Sequence, residues 1–336
     1  MGKKGPVPLF RPAAITPVFA ELKQAGALQR LLRRTKLPSD QIERLDEFAP
    51  AHVVLHFMAE SAGYLDSLDL AFRAATRAQP QQLGHWGHAV QRCYTLRSAL
   101  KHLCVLYPLE ATFVQFGLVE GKTQAWLWRR RSLTPKNPAG EMQGEQFTMG
   151  SMIQVVRMAA GSQWSPPAVR IESPKSEWAL RTEGLAQSRV DFGGPVLAIA
   201  MPNDLLDRRL PRPPSGRAAT EEAGAPAAND LVGSLVQALS SLDTKAPLSL
   251  DLGAEIADTT PRTLQRWLAE ESTGWRQLVD RVRFETCERL LSDPSLTLTE
   301  ISMKLGYSDH AHFTRAFHRW TGEAPSIRRR RRMNHS

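Results

Sequence analysis

The sequence predicts two domains of different class: an α+β domain over about residues 15–210 and an all-α domain over 228–332. Three observations carry this expectation. The stretch 211–227 is dense in Pro, Gly, Ala and small polar residues and has no apolar periodicity, as expected of a linker. Before it, helical stripes give way to two strand-like runs around Glu120-Gly121-Lys122, a hairpin signal. After it the apolar period is helical throughout, and helix breakers recur at short intervals. With 336 residues, 42% of them hydrophobic, the chain has material for two cores.

Residues 15–106 read mainly as helix. In 67–78 the apolar stripe is Leu68, Leu70, Ala71, Phe72, Ala74 and Ala75, and in 95–106 it is Leu96, Ala99, Leu100, Leu103 and Leu106. Strands are expected over 111–118 and 123–129, then a helix over 144–160. Runs at 169–171 and 196–200 would complete the sheet.

About seven helices are expected downstream, two pairs of them arranged as helix-turn-helix units. The first pair is 250–257 and 261–270, with a turn at Asp258-Thr259. Thr260 would cap the second helix of that pair, and Pro261 sits at its first position, where a missing N–H costs nothing. Leu264, Trp267 and Leu268 fall inward there, leaving Arg262, Thr263, Gln265 and Arg266 on a polar face. A connecting helix over 275–292 ends at Asp293-Pro294. The second pair opens with Thr297-Leu298-Thr299-Glu300, a capping box, and its first helix stops at Gly306. Ser308 or Asp309 would cap the helix 309–320. Phe313, Ala316, Phe317 and Trp320 fall inward there, and His310, His312, Thr314 and Arg315 outward. Ala324-Pro325 would open a short last helix.

The formal net charge is +9, which suits a polyanionic partner, but its location does not mark a nucleic-acid site. Residues 1–225 carry +8, whereas 226–336 carry fifteen basic against fourteen acidic residues, five of the basic ones being the run 328–332. Placement of the cations must therefore decide. Arg grips guanine O6/N7 and Gln adenine N6/N7, each bidentate pair contributing about 1–3 kcal/mol of discrimination. A connecting helix of about 18 residues spans ~27 Å. That length would hold two reading helices about one DNA turn, ~34 Å, apart.

These residues resemble a known family. Residues 228–332 are similar to the DNA-binding domain of AraC/XylS regulators. The likeness is carried by Leu298-Thr299-Glu300-Ile301, Leu305-Gly306-Tyr307-Ser308-Asp309 and the run from Phe313 to Pro325, and less tightly by Arg262-Thr263-Leu264-Gln265-Arg266-Trp267-Leu268. Ser302 and Met303 depart from it where small apolar residues are usual, and Ile327 where an aromatic is common. Residues 15–210 loosely resemble the effector-binding domain of one branch. The motifs are Leu83-Gly84-His85-Trp86-Gly87, Thr95-Leu96-Arg97-Ser98-Ala99-Leu100 and the terminal run 203–210. The resemblance implies a cytoplasmic bacterial regulator, activator rather than repressor. Arg262, Thr263, Gln265 and Arg266 would face bases from one helix, and His310, His312, Thr314 and Arg315 from the other. Its partners would be double-stranded promoter DNA, RNA polymerase, a small-molecule effector and a second copy of the chain. No ligand contact is implied.

Other features read blandly. No apolar run reaches membrane-spanning length, and the basic start lacks the apolar stretch of a signal peptide. Cys93, Cys104 and Cys287 have no metal-type spacing and read as small buried residues in a reducing compartment. His52, His56 and Glu60 share a helical face, and His85 and His88 lie close in sequence, without the company a metal site needs. Trp126, Trp128, Trp164 and Trp178 read as core or as an effector pocket. Arg129-Arg130-Arg131 reads as a solvated loop, and the run 328–332 as either a phosphate contact or a solvated tail. No catalytic constellation, cofactor motif or metal site is expected. The alternatives are an enzyme with a DNA-binding appendage, its chemistry in 1–210, and a DNA-binding module controlled by a protein partner.

Overall fold

The computed structural model describes residues 4–35, 37, 47–132, 137–175, 177–211, 226–242 and 248–333, with side chains up to 331. Most of the expected linker, 212–225, lies outside the described residues. The chain forms two compact units, Pro8–Ala227 and a second one combining Met1–Val7 with Ala228–Ser336.

The first unit is α+β. Its helices α1 (Thr16–Gln24), α2 (Leu28–Thr35), α3 (Ala51–Tyr64), α4 (Leu70–Arg77), α5 (His85–Gln91) and α6 (Leu96–Leu106) precede the main sheet. A short pair, β1 (Leu9–Phe10) and β2 (Ala49–Pro50), is antiparallel. Thr95 caps α6 by accepting from the Ser98 N–H at 3.3 Å. The five-stranded sheet contains β3 (Val114–Glu120), β4 (Gln124–Arg131), β5 (Ala168–Ile171), β6 (Arg189–Phe192) and β7 (Leu197–Pro202) in the order β3-β4-β7-β5-β6. Only β5 and β6 are parallel; the other pairs are antiparallel.

The hairpin is present but shifted. Leu118 pairs with Leu127, and the turn is closed by the Gly121 N–H donating to the Gln124 carbonyl at 3.0 Å. The expected loop 129–131 is strand β4, and Arg129 is buried in it. The long helix α7 (Pro138–Ala160) starts six residues before the expected 144, because Asn137 caps it and Pro138 takes a first-turn position. It is buried on most sides, with Phe147, Met149, Met152, Ile153, Val155 and Val156 in the core. At Gly150 a Cβ would come within 2.8 Å of the Ala75 Cβ and the Phe72 carbonyl, so glycine lets α7 lie close against α4.

The second unit has seven helices among the described residues: α9 (Leu231–Ser240), α10 (Leu250–Ile256), α11 (Pro261–Glu270), α12 (Trp275–Leu290), α13 (Leu298–Lys304), α14 (His310–Thr321) and α15 (Pro325–Met333); α8 (Glu177–Arg181) belongs to the first unit. Residues 4–7 join this unit: the Val7 N–H donates to Ser234 Oγ at 2.8 Å, and Lys4 Nζ pairs with Glu270 and Glu271 at 3.0 and 2.8 Å. One core patch under the second helix pair is Cys287, Leu291, Ile301, Leu305, Phe313 and Phe317. Asp258, at φ +51°, makes the first turn and Gly306, at φ +76°, the second.

Candidate nucleic-acid interface

Local capping chemistry sets both outward-facing helices. Thr260 Oγ1 accepts from the Thr263 N–H at 3.2 Å to open α11, and Asp309 Oδ1 accepts from the His312 N–H at 2.7 Å to open α14. Once the starts are fixed, the helical period decides the rest. Leu264, Trp267 and Leu268 go inward from α11, and Phe313, Ala316 and Phe317 from α14.

The expected site residues then fall as follows. Arg262, Gln265 and Arg266 are exposed on α11, and Thr263 is half-buried with its hydroxyl 2.9 Å from that of Thr260. Arg266 lies 3.8 Å from Glu270, a loose exposed pair contributing little. On α14, His310, His312 and Arg315 are exposed, and Thr314 is half-buried with its hydroxyl donating to the His310 carbonyl at 2.9 Å. His312 Nδ1 lies 3.1 Å from Asp309 Oδ2. Trp320, expected inward, is half-buried and meets Phe284, Tyr307 and Phe317 through ring contacts.

Between α12 and α14 the structure opens a cleft of about 500 Å³. Arg276 and Arg283 enter it from α12, and His312, Arg315 and Arg319 from α14. Asp280 is the acidic residue of the lining, and Arg319 pairs with it at 3.1 Å. Arg283 lies over the Tyr307 ring, 5.1 Å from its centroid, and its Nε is buried without a hydrogen-bond partner. Four guanidiniums against one carboxylate give the cleft a strong positive field. Sequence reasoning missed Arg276, Arg283 and Arg319. The signal was there, since 276 and 283 are seven residues apart on one helical face.

The run 328–332 resolves for its described side chains. Arg328 makes a two-pronged pair with Glu288, both bonds 3.1 Å, and also reaches Glu323 at 3.2 Å. Arg329 donates to the Leu296 carbonyl at 2.7 Å, and Arg331 pairs with Glu323 at 3.1 Å. These arginines fasten α15 to its own unit, in place of a free tail.

The remaining candidates lie elsewhere. Glu60 pairs with Arg34 at 2.7 Å, and His85 donates its backbone N–H to Glu110 at 2.7 Å. Among the described residues no group of three His, Cys, Asp or Glu is placed to hold a metal, and no helix is long and apolar enough to cross a membrane. Trp178 packs on Phe72 in the core, and Trp126 lies under Arg170 at 4.6 Å. Cys93 and Cys104 are half-buried, where full burial was expected, and Cys287 is buried. Burial pushes the Cys104 thiol up to about 11, which keeps it protonated and unreactive at neutral pH.

Comparison with known proteins identifies the two domains by family. Residues 26–210 match the model described as the arabinose-binding N-terminal domain of AraC transcription regulators, and residues 254–331 match a helix-turn-helix domain. An uncharacterized helix-turn-helix regulator of Mycobacterium tuberculosis is 42% identical over 85 residues, 25% of this chain and 24% of the relative. The ornithine utilization regulator of Pseudomonas aeruginosa is 29% identical over 186 residues, 54% of this chain and 52% of the relative. The chain thus spans from about a quarter to about half the length of these curated relatives. The crystal structure of the transcriptional regulator CdpR from Pseudomonas aeruginosa aligns with 77% of this chain and 86% of its own, at 22% identity and a TM-score of 0.35, too low to argue from. These are the names of transcription regulators, not of enzymes. The chain, with its helix-turn-helix domain, belongs to the AraC family of transcription regulators.

Proposed function

We propose that α11 and α14 read two adjacent major grooves of a promoter site and that the first unit responds to a small-molecule effector. The observation that carries the DNA reading is the pair of N-capped helices, each burying one apolar face and presenting cations on the other. Arg262, Gln265 and Arg266 act from α11, and His310, His312 and Arg315 from α14. The hydroxyls of Thr263 and Thr314 have partners on their own helices, so these residues offer their methyl groups, which suit the thymine methyl. The 16-residue helix α12 spaces the two readers by about 24 Å of helix length. Arg276 and Arg283 face the phosphate backbone that runs between the two grooves.

The first unit also pairs with a second copy of the chain, and the regulator acts in the cytoplasm, through RNA polymerase, to raise transcription. An activator among the relatives supports this direction: RhaR of Salmonella arizonae is 27% identical over 175 residues, 49% of this chain and 58% of the relative. An effector changes transcription only by favouring one arrangement of the protein over another.

The test is DNA capture across the host genome with the full-length protein and an Arg266→Ala/Arg315→Ala variant. The expected result is a few sharp sites that the variant loses, each substitution costing about 1–3 kcal/mol of specific binding without unfolding. Sites unchanged in the variant would overturn the assignment of the reading faces.

A further inference from the structure

We propose that the first unit contains a pocket for a small aliphatic carboxylate, gripped by the free edge of Arg129. The proposal rests on reading this unit as an effector sensor and names the chemical class of the effector. Arg129 comes inward from β4 and is 2% exposed. Its Nη1 lies 3.3 Å from Glu172, while its Nε and Nη2 are buried and have no hydrogen-bond partner. Those two nitrogens share one edge of the guanidinium. Their parallel N–H bonds match the two oxygens of a carboxylate.

Arg129 lines a void of about 30 Å³, together with Tyr107, Arg131, Glu141, Glu145 and Thr148 on its polar side and Leu55 and Phe113 among its apolar residues. That is about the room of two waters, or of the two oxygens of a carboxylate head. It is a small fraction of the ~150 Å³ that takes a benzene, so a sugar is a poor fit. Met58, an unbranched and adaptable side chain, also lines the void and can give way to a short alkyl tail.

The nearby carboxylates are committed elsewhere. Glu172 is shared with Arg131 at 3.0 Å, and Glu141 pairs with Arg131 at 3.3 Å. Glu145 accepts from the backbone N–H of Glu172 at 2.6 Å and of Ser173 at 3.3 Å, and from the Ser173 hydroxyl. None of them occupies the free edge. Burial, helped by the neighbouring Arg131, drives the Arg129 guanidinium below its ordinary value despite Glu172 and Glu145. Burial also pushes Tyr107 up to about 12, leaving it a neutral phenol beside the head group.

The test is calorimetric titration of the full-length protein with acetate, propionate and butyrate at constant ionic strength, with chloride and acetamide as controls. Saturable binding of the acids alone is expected. It should weaken at least about tenfold in Arg129→Lys, which keeps the charge but loses the fork, and in Leu55→Phe, which fills the void. On the parent protein itself, the infrared carboxylate band of bound ¹³C-acetate should shift as a guanidinium-bound group does. No saturable heat, equal heat with chloride, an unshifted band, or undiminished binding in both variants would overturn the pocket; two waters would then be its occupants. Binding that never alters affinity for promoter DNA would leave the pocket and sink the sensor reading. An acid response of DNA affinity that survives Arg129→Lys would sink the pocket alone.

Discussion

Gly253 sits in the middle of α10, where a sequence reader sees only a weak helix former. In the structure it is a seat: a Cβ there would meet the Trp275 ring at 2.3 Å. The indole is held in place from its other side, Nε1 donating to the Leu248 carbonyl at 3.2 Å. Gly253→Ala is therefore expected to destabilise the second unit by about 1–3 kcal/mol through overpacking, against the usual gain of alanine in a helix. Denaturant unfolding followed by tryptophan fluorescence measures it, and a neutral or stabilised variant would contradict the close packing. The departures from the family pattern are also explained residue by residue. Ser302 is buried and small, with its hydroxyl 3.4 Å from the Asp309 carbonyl, while Met303 and Ile327 are 67% and 51% exposed and burden no core.

Whole elements were legible where their signals are local. The starts of α11, α13 and α14 follow from Thr260, Thr297 and either Ser308 or Asp309, because a cap involves residues three apart. The structure decides for Asp309. What escaped has non-local causes. β6 alternates exposed and half-buried residues at the sheet edge and exists because β5 pairs with it. The first turn of α7 reads as loop, since its Pro, Ala and Gly residues fit a helix only once Asn137 caps them. The caps can be tested. Thr297→Ala should cost about 0.5–2 kcal/mol, read by thermal unfolding.

Acid should act on the same caps. Bonds from Thr297 hold the Glu300 carboxyl below its ordinary 4.5, and the His312 N–H holds Asp309 below 3.8. Depressed carboxylates stabilise the fold above their unfolded values, and that contribution disappears as pH falls below about 4. Circular dichroism should show acid melting beginning earlier in Thr297→Ala and Asp309→Ala than in Asp309→Asn, which keeps a cap.

For the molecule as a whole, the nearly neutral charge of residues 226–336 hid where cations remain available. Several of the acids are occupied: Glu270 and Glu271 by Lys4, Glu288 and Glu323 by the last helix, and Asp280 by Arg319. Arg276 and Arg315 have no ion pair among the described residues, and both line the cleft. Removing Arg276 and Arg283 together should lower the slope of log affinity against log salt by about 2, at ~0.9 per phosphate, and weaken binding evenly across sequences. Filter binding over a salt series measures this. An unchanged slope would place the DNA backbone away from the cleft. Which cations stay unpaired was thus invisible to a count, because ion pairing sorts spent cations from free ones and only the fold shows the pairs.

The membership of residues 4–7 in the second unit makes the first unit an insertion rather than an appended half. The chain crosses from one unit to the other twice, at 7–8 and again near 227–228. A cut within 212–225 would therefore put residues 4–7 on a separate piece from the rest of their own unit, which they contact through the buried Val7–Ser234 bond and the Lys4 ion pairs. The same short segment also reaches the end of α11, where Lys4 pairs with Glu270 and Glu271.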